Sequence, residues 1–215
     1  MFPDLTRDDV FTLETKRLWL RWPRGGDVAA IRRIASRAEV ADMTAAIPHP
    51  YPVDGAENFV LAARAANAEG REMALAITLK TTREAIGLVS ASIEDGGAEI
   101  GFVLAPAHWG KGYATETAHA VIDAVFALTH FGELSTNVRL ENAASGRVLE
   151  KCGFSDVGLV EMDLPERGGR VSCRRYRLTR LAWGALRNRR IPAMTQQPAG
   201  APGAGGGSAA FSAWA

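Results

Sequence analysis

"APAHWGKGYATETAHAVIDAVF", Ala105–Phe126, decides how the chain is read. Gly110 and Gly112 flank Lys111, the small residue Ala114 follows, and then an amphipathic run begins. Glycines let backbone N–H groups approach an anion with no Cβ in the way. The first-turn N–H groups of a helix have no partner inside it, and the helix dipole favours negative charge there. A pyrophosphate fits such a turn. A plain strand-to-helix connection would use the same residues. In the run that follows, Ala114, Ala118, Val121 and Val125 share one face at helical spacing, with Glu116, His119 and Asp123 elsewhere. The spacing excludes two common nucleotide loops. A Walker loop needs G-x-x-x-x-G-K-[ST], but Gly112 follows Lys111 and Ala105 stands where the first glycine belongs. The dinucleotide fingerprint has Thr115 in its third glycine position and no alternating strand–helix units around it.

Working outward, "RLWLRW" at Arg17–Trp22 alternates as a strand, and Asp27 caps a helix to about Arg37. "IPHPYP" at Ile47–Pro52 is a loop, and a second helix runs from Asp54 to Glu69, closed by Gly70. Strands are predicted at Met73–Lys80, Ala85–Ile93 and Ala98–Leu104, the last two joined through a tight "DGG" turn. After the glycine turn and its helix come a strand at Glu133–Leu140 and a short helix at Ala143–Cys152, with Asn142 as N-cap and Gly153 as stop. Two strands, Asp156–Met162 and Arg170–Leu178, close the pattern across an "RGG" turn. The sum is an α+β fold, a mixed and mostly antiparallel central sheet flanked by helices. Residues 1–12 read as an N-terminal extension, 13–182 as the single functional domain, and 183–215 as a tail, disordered from about 191.

Composition narrows the classes. The 215 residues carry 47% hydrophobic and 23% charged residues, enough for a core, and a formal net charge of +1. No global field attracts nucleic acid, and no apolar run reaches the ~20 residues of a membrane span, so neither partner is expected. Two distant cysteines and no signal-like start read as cytoplasmic. His49, His108, His119 and His130 show no metal-ligand spacing, so no metal is expected.

Together the motifs resemble the GNAT N-acetyltransferases, and more closely their RimJ/RimL branch, which acetylates protein N-termini. "LETKRLWLRW" is similar to that branch's opening strand, and "IPHPYP" to its substrate-side loop. "AEIGFVLAPAHWGKGYATETAHAVIDAVF" resembles the acetyl-CoA motif, and "NVRLENAASGRVLEKCGF" the second motif, N-x-x-S running into G-F. The resemblance spans about Leu13–Thr179. It implies acetyl-CoA as co-substrate, held by Val103, Leu104, Trp109, Gly110, Lys111, Gly112, Tyr113, Ala114, Thr115, Asn142 and Ser145. The pyrophosphate takes the N–H groups from about Gly110 to Thr115. Many members place a tyrosine four residues before the G-F pair to protonate the thiolate. Leu149 stands there, and Ser145 is the alternative donor, as in the branch resembled.

Acetyl transfer requires an amine to lose a proton. An α-amine with pKa ~8 is roughly one-tenth neutral at pH 7, against fewer than about one in a thousand lysines at ~10.4, so an N-terminal acceptor needs only a modest base. Glu99, which shares a strand face with Gly101 and Val103, is the candidate base and an acceptor contact; a solvated strand carboxylate is the other reading. His49 and Tyr51 in the proline loop are candidate acceptor contacts, or simply loop packing. Glu116 reads as a first-turn residue suited to the helix dipole. The oxyanion donor is a backbone N–H near Val103 or Leu104. The expected function is direct transfer from acetyl-CoA to a protein N-terminal α-amine in a ternary complex. A small-molecule amine as acceptor, or a non-catalytic acyl-CoA-binding module, are the alternatives. The protein reads as a monomer or a homodimer.

Overall fold

The computed structural model describes residues 1–94 and 97–190. Eight strands form one sheet. The elements run β1 (Thr12–Glu14), β2 (Leu18–Arg21), α1 (Val28–Ala35), α2 (Ala38–Ala41), α3 (Gly55–Ala68), β3 (Glu72–Leu79), β4 (Ala85–Glu94) and β5 (Gly97–Leu104). They continue with α4 (Tyr113–Leu128), β6 (Glu133–Arg139), α5 (Ala143–Lys151), β7 (Ser155–Leu164), β8 (Gly169–Thr179) and α6 (Arg180–Arg190). The order across the sheet is β1-β2-β3-β4-β5-β6-β8-β7. Every neighbour pair is antiparallel except β5 and β6, which run parallel and are linked through α4. This is the α+β arrangement that the sequence predicts.

Period two assigns each strand's side chains to one of two layers. On one face Val89, Ala91, Ile100, Leu104, Leu134, Val138 and Leu178 pack with Val121, Val125 and Phe126 of α4 and Leu149 of α5. On the other, Leu88 packs with Ile31 of α1 and Val60 of α3. Phe2 and the Phe131 ring meet edge to face at 5.6 Å, and Phe2 is fully buried. Each fully buried Leu, Ile or Phe stabilises the fold by roughly 1.5–3 kcal/mol.

Two local readings change. The first helix stops at Ala35, and the separate turn α2 follows from Ala38. Asp27 does not cap α1 with its side chain. It accepts the Arg24 backbone N–H and pairs with Arg21 at 2.7 Å. The "DGG" turn falls at residues 95 and 96, outside the described residues, between the paired Glu94 and Gly97. The expectation for the tail from about 191 also lies outside them.

One feature of the sheet positions the candidate site. β5 stays with β4 along its length, from Gly97↔Glu94 to Leu104↔Gly87. β6 stays with β8, from Glu133↔Thr179 to Arg139↔Cys173. Among the described residues, β5 and β6 pair in register only at Gly97↔Glu133, Ala98↔Leu134 and Glu99↔Ser135. A Cβ on Gly97 would lie 2.2 Å from the Glu133 carbonyl oxygen, so glycine is needed for that contact. Beyond Glu99 and Ser135 the strands part, and the sheet opens into a gap.

Candidate active site

A cavity of about 390 Å³ passes through this gap, within the size range of small-molecule sites. Its lining comes from both faces of the sheet. Ser90, Ser92, Glu99, Gly101 and Val103 border it from the α1/α3 face, and Val138, Ser145 and Leu149 from the α4/α5 face. A path that joins the two faces suits a reaction whose two substrates arrive from opposite sides.

The exposed backbone edge of β5 is the first functional element. Ala105 N–H donates to Ile86 C=O at 2.8 Å, across to β4. Alternation along the strand therefore turns the N–H of Val103 toward β4 and those of Phe102 and Leu104 toward the gap. Of the two expected oxyanion donors, Leu104 has the usable direction and Val103 does not. The Leu104 carbonyl, on the same edge, accepts the Trp109 indole N–H at 2.8 Å. That bond fixes the indole beside the turn that follows.

The glycine turn is built for an anion. Gly110 and Gly112 hold φ of +71° and +78°, the left-handed region that favours glycine. Gly112 is the N-cap of α4 and offers no side chain to its first turn. Glu116 N–H already bonds Gly112 C=O, which leaves the N–H groups of Tyr113, Ala114 and Thr115 as the helix's unpartnered donors. Lys111 is exposed beside them. The open edge of β5 and this donor cradle together fit the amide chain and pyrophosphate of a coenzyme A thioester.

Sequence reading missed what holds this turn. Arg17 donates to the Lys111 carbonyl at 2.9 Å, pairs with Glu116 at 2.6 Å, and lies 4.2 Å over the Tyr113 ring centre. Glu116 also accepts from the Thr15 hydroxyl and the Arg17 backbone N–H, each at 2.7 Å. Burial opposes ionisation of Glu116, but these hydrogen bonds outweigh it and hold the carboxyl below the usual range. Glu116 thus ties α4 to the β1–β2 turn, a role its place in the helix did not reveal.

Glu99 is half-buried on the gap's α1/α3 face and accepts from the Asn137 side-chain amide at 3.0 Å. Burial, with Glu94 nearby, pushes its pKa up against the lowering influence of Asn137 and Arg175. Among the described residues it is the one carboxylate lining the cavity. Ser145 enters from the first turn of α5. Asn142 caps that helix, accepting the Ser145 N–H at 3.1 Å, and its amide N–H₂ donates to the Met43 carbonyl at 2.9 Å. Tyr51 lines the cavity, whereas His49 is exposed and does not. Leu149, four residues before Gly153, is buried against the cavity wall.

The segment 41–47 hangs from distant side chains. Arg167, in the turn between β7 and β8, donates to the carbonyls of Thr44 at 2.9 Å, Ile47 at 2.5 Å and Ala41. Arg139 bonds the Asp42 carbonyl, and Asn142 holds Met43. Met43, Thr44, Ala45, Ala46 and Ile47 all line the cavity.

The acetyltransferase (GNAT) domain family matches residues 17–155 of the chain. An uncharacterised N-acetyltransferase of Bacillus licheniformis is 31% identical over 163 residues, 74% of this chain and 90% of that protein. The spermidine N(1)-acetyltransferase of Vibrio cholerae is 34% identical over 65 residues, 30% of this chain and 38% of that protein. Among solved structures, Mycobacterium smegmatis RimJ in complex with CoA-disulfide superposes with a TM-score of 0.72 at 24% identity, covering 83% of this chain and 90% of that one.

Proposed function

The chain belongs to the GNAT acetyltransferase family and is an acetyl-CoA-dependent N-acetyltransferase; from that premise we propose that its acceptor is a protein N-terminal α-amine, attacked with both substrates bound. The transferase unit is residues 13–182. The observation that carries the reading is Glu99, a single half-buried carboxylate of raised pKa in the gap between β5 and β6.

In this account the amine enters from the α1/α3 face and acetyl-CoA from the α4/α5 face. Glu99 takes the amine's proton, and its raised pKa brings it closer to the α-amine's ~8. Leu104 N–H, aimed into the gap, polarises the thioester carbonyl. Ser145 protonates the departing thiolate. The N–H groups from Gly110 to Thr115 and the Lys111 ammonium hold the pyrophosphate, with Trp109 beside them. Asn142 fixes the α5 terminus relative to the acceptor loop. Tyr51 contacts the acceptor, and His49, exposed on the same loop, contacts the peptide farther out.

The spermidine N(1)-acetyltransferase among the relatives favours a second reading, a small polyamine acceptor. A polycation needs several anionic contacts, and the described cavity lining supplies one carboxylate. Thiol release from acetyl-CoA with free N-terminal peptides, N-blocked lysine peptides and spermidine separates the readings. Release confined to free N-termini, and lost in Ser145→Ala with acetyl-CoA binding retained, is expected. Release with spermidine alone overturns the proposal.

A further inference from the structure

The acceptor half of the cavity has a composition that the proposed chemistry does not require. Beside Glu99, Asn137 spends its amide N–H on the carboxylate, while its side-chain carbonyl is buried with no partner. A buried acceptor without a donor is costly, and a primary amine with several N–H groups satisfies it together with Glu99. Farther along the same face the lining turns apolar: Ile31, Tyr51, Phe59, Leu88 and Val103. Ile31 and Leu88 come from α1 and β4, and Tyr51 and Phe59 pack against the same small cluster. Arg139, which also lines the cavity, is engaged by the Asp42 carbonyl and by Glu141 at 3.4 Å, and its Nε is buried without a hydrogen-bond partner. An acidic side chain would lose its hydration against the apolar wall.

Resting on the reading of an α-amine acceptor, we propose that the site selects a primary amine whose neighbouring carbon bears a large apolar side chain, as in an N-terminal leucine, methionine or phenylalanine. Glu99 and the Asn137 carbonyl hold the nitrogen, and the wall from Ile31 to Val103 takes the side chain. A hydrophobic pocket discriminates by roughly 10- to 200-fold for each methylene-sized step at most, so leucine over alanine is expected to differ by at least about tenfold in kcat/KM.

The test uses the full chain, acetyl-CoA and peptides identical except for a first residue of Leu, Phe, Ala or Asp, with leucinamide, alaninamide and spermidine as small amines. The expected order is Leu and Phe above Ala and Asp by at least about tenfold. Phe59→Ala should bring the Leu/Ala ratio toward one with the acetyl-CoA Kd unchanged, and Phe59→Leu should retain most of it. A flat series, or one led by Ala or Asp, overturns the inference while leaving the N-terminal reading standing. Inert peptides with leucinamide well above alaninamide would uphold the inference and sink that reading. Inertness toward every amine counts against both.

Discussion

Replacing Arg167 by methionine keeps an unbranched apolar stem and removes the guanidinium that holds the segment 41–47, which borders the acceptor in the proposed function. Three loop carbonyls, those of Ala41, Thr44 and Ile47, then lose a cationic donor. A hydrogen bond to a charged group contributes about 1.5–3 kcal/mol, but the freed carbonyls of Thr44 and Ile47 lie on half-buried residues and regain water. A net loss of about 2–3 kcal/mol in loop ordering follows, with Arg139 and Asn142 still attached. At 1.36 kcal/mol per decade, that is a roughly 30- to 150-fold fall in kcat/KM for the acceptor. The assay is steady-state acetyl transfer with varied peptide, paired with calorimetric titration of acetyl-CoA. The loss should fall on the acceptor's KM, and the acetyl-CoA Kd should stay within twofold, since the glycine turn is held by Arg17. An unchanged acceptor KM in a folded variant, or an equal loss of acetyl-CoA affinity, would refute the reasoning.

Other perturbations have equally definite outcomes. Arg17→Ala removes three supports of the glycine turn and, with Arg17 partly exposed, should weaken acetyl-CoA by about tenfold while sparing the acceptor's KM; calorimetry reads it. Glu99→Gln should abolish turnover yet raise the melting temperature at neutral and alkaline pH. The folded pKa of Glu99 is raised, so its carboxylate costs stability above that value and costs none below the usual 4.5, where the two melting curves should converge. Glu116 has the opposite sign: its lowered pKa gives stability present above 4.5 and lost as pH falls through the folded value, so Glu116→Gln should destabilise at neutral pH and least in acid. Gly146→Ala puts a Cβ 2.6 Å from the hydroxyl of buried Tyr176, and should destabilise the fold by about 1–3 kcal/mol, partly relieved by Tyr176→Phe; urea unfolding checks it.

What sequence made legible was local or periodic. Asn142 caps α5 through a bond to a residue three positions on, a distance any reading spans. Glu99, Gly101 and Val103 share a face because a strand has period two, and the helix after Gly112 buries the stripe that the 3.6 spacing selects. What escaped was long-range. Glu116 looks like a first-turn carboxylate until Thr15 and Arg17 arrive from 101 and 99 residues away. Arg167 looks like part of a turn until the loop 120 to 126 residues earlier closes on it. The gap itself arises because β6 follows β8 and β5 follows β4, a choice of partner no single strand encodes. Its register also decides between the N–H groups of Val103 and Leu104. Ser36 and Arg37 separate α1 from α2 with neither glycine nor proline to mark the break. A proline-rich loop is evident from composition, but not that Tyr51 turns into the cavity while His49 turns out.

The most direct test of the central claim, that Glu99 in the gap activates an α-amine for acetyl transfer, is mass spectrometry on a single peptide. The peptide carries both a free N-terminus and an internal lysine, and is incubated with acetyl-CoA and either the native chain or Glu99→Gln. One acetyl group on the α-nitrogen is expected with the native chain and none with the variant, whose acetyl-CoA affinity stays intact. Acetylation confined to the lysine, or undiminished in Glu99→Gln, would contradict it.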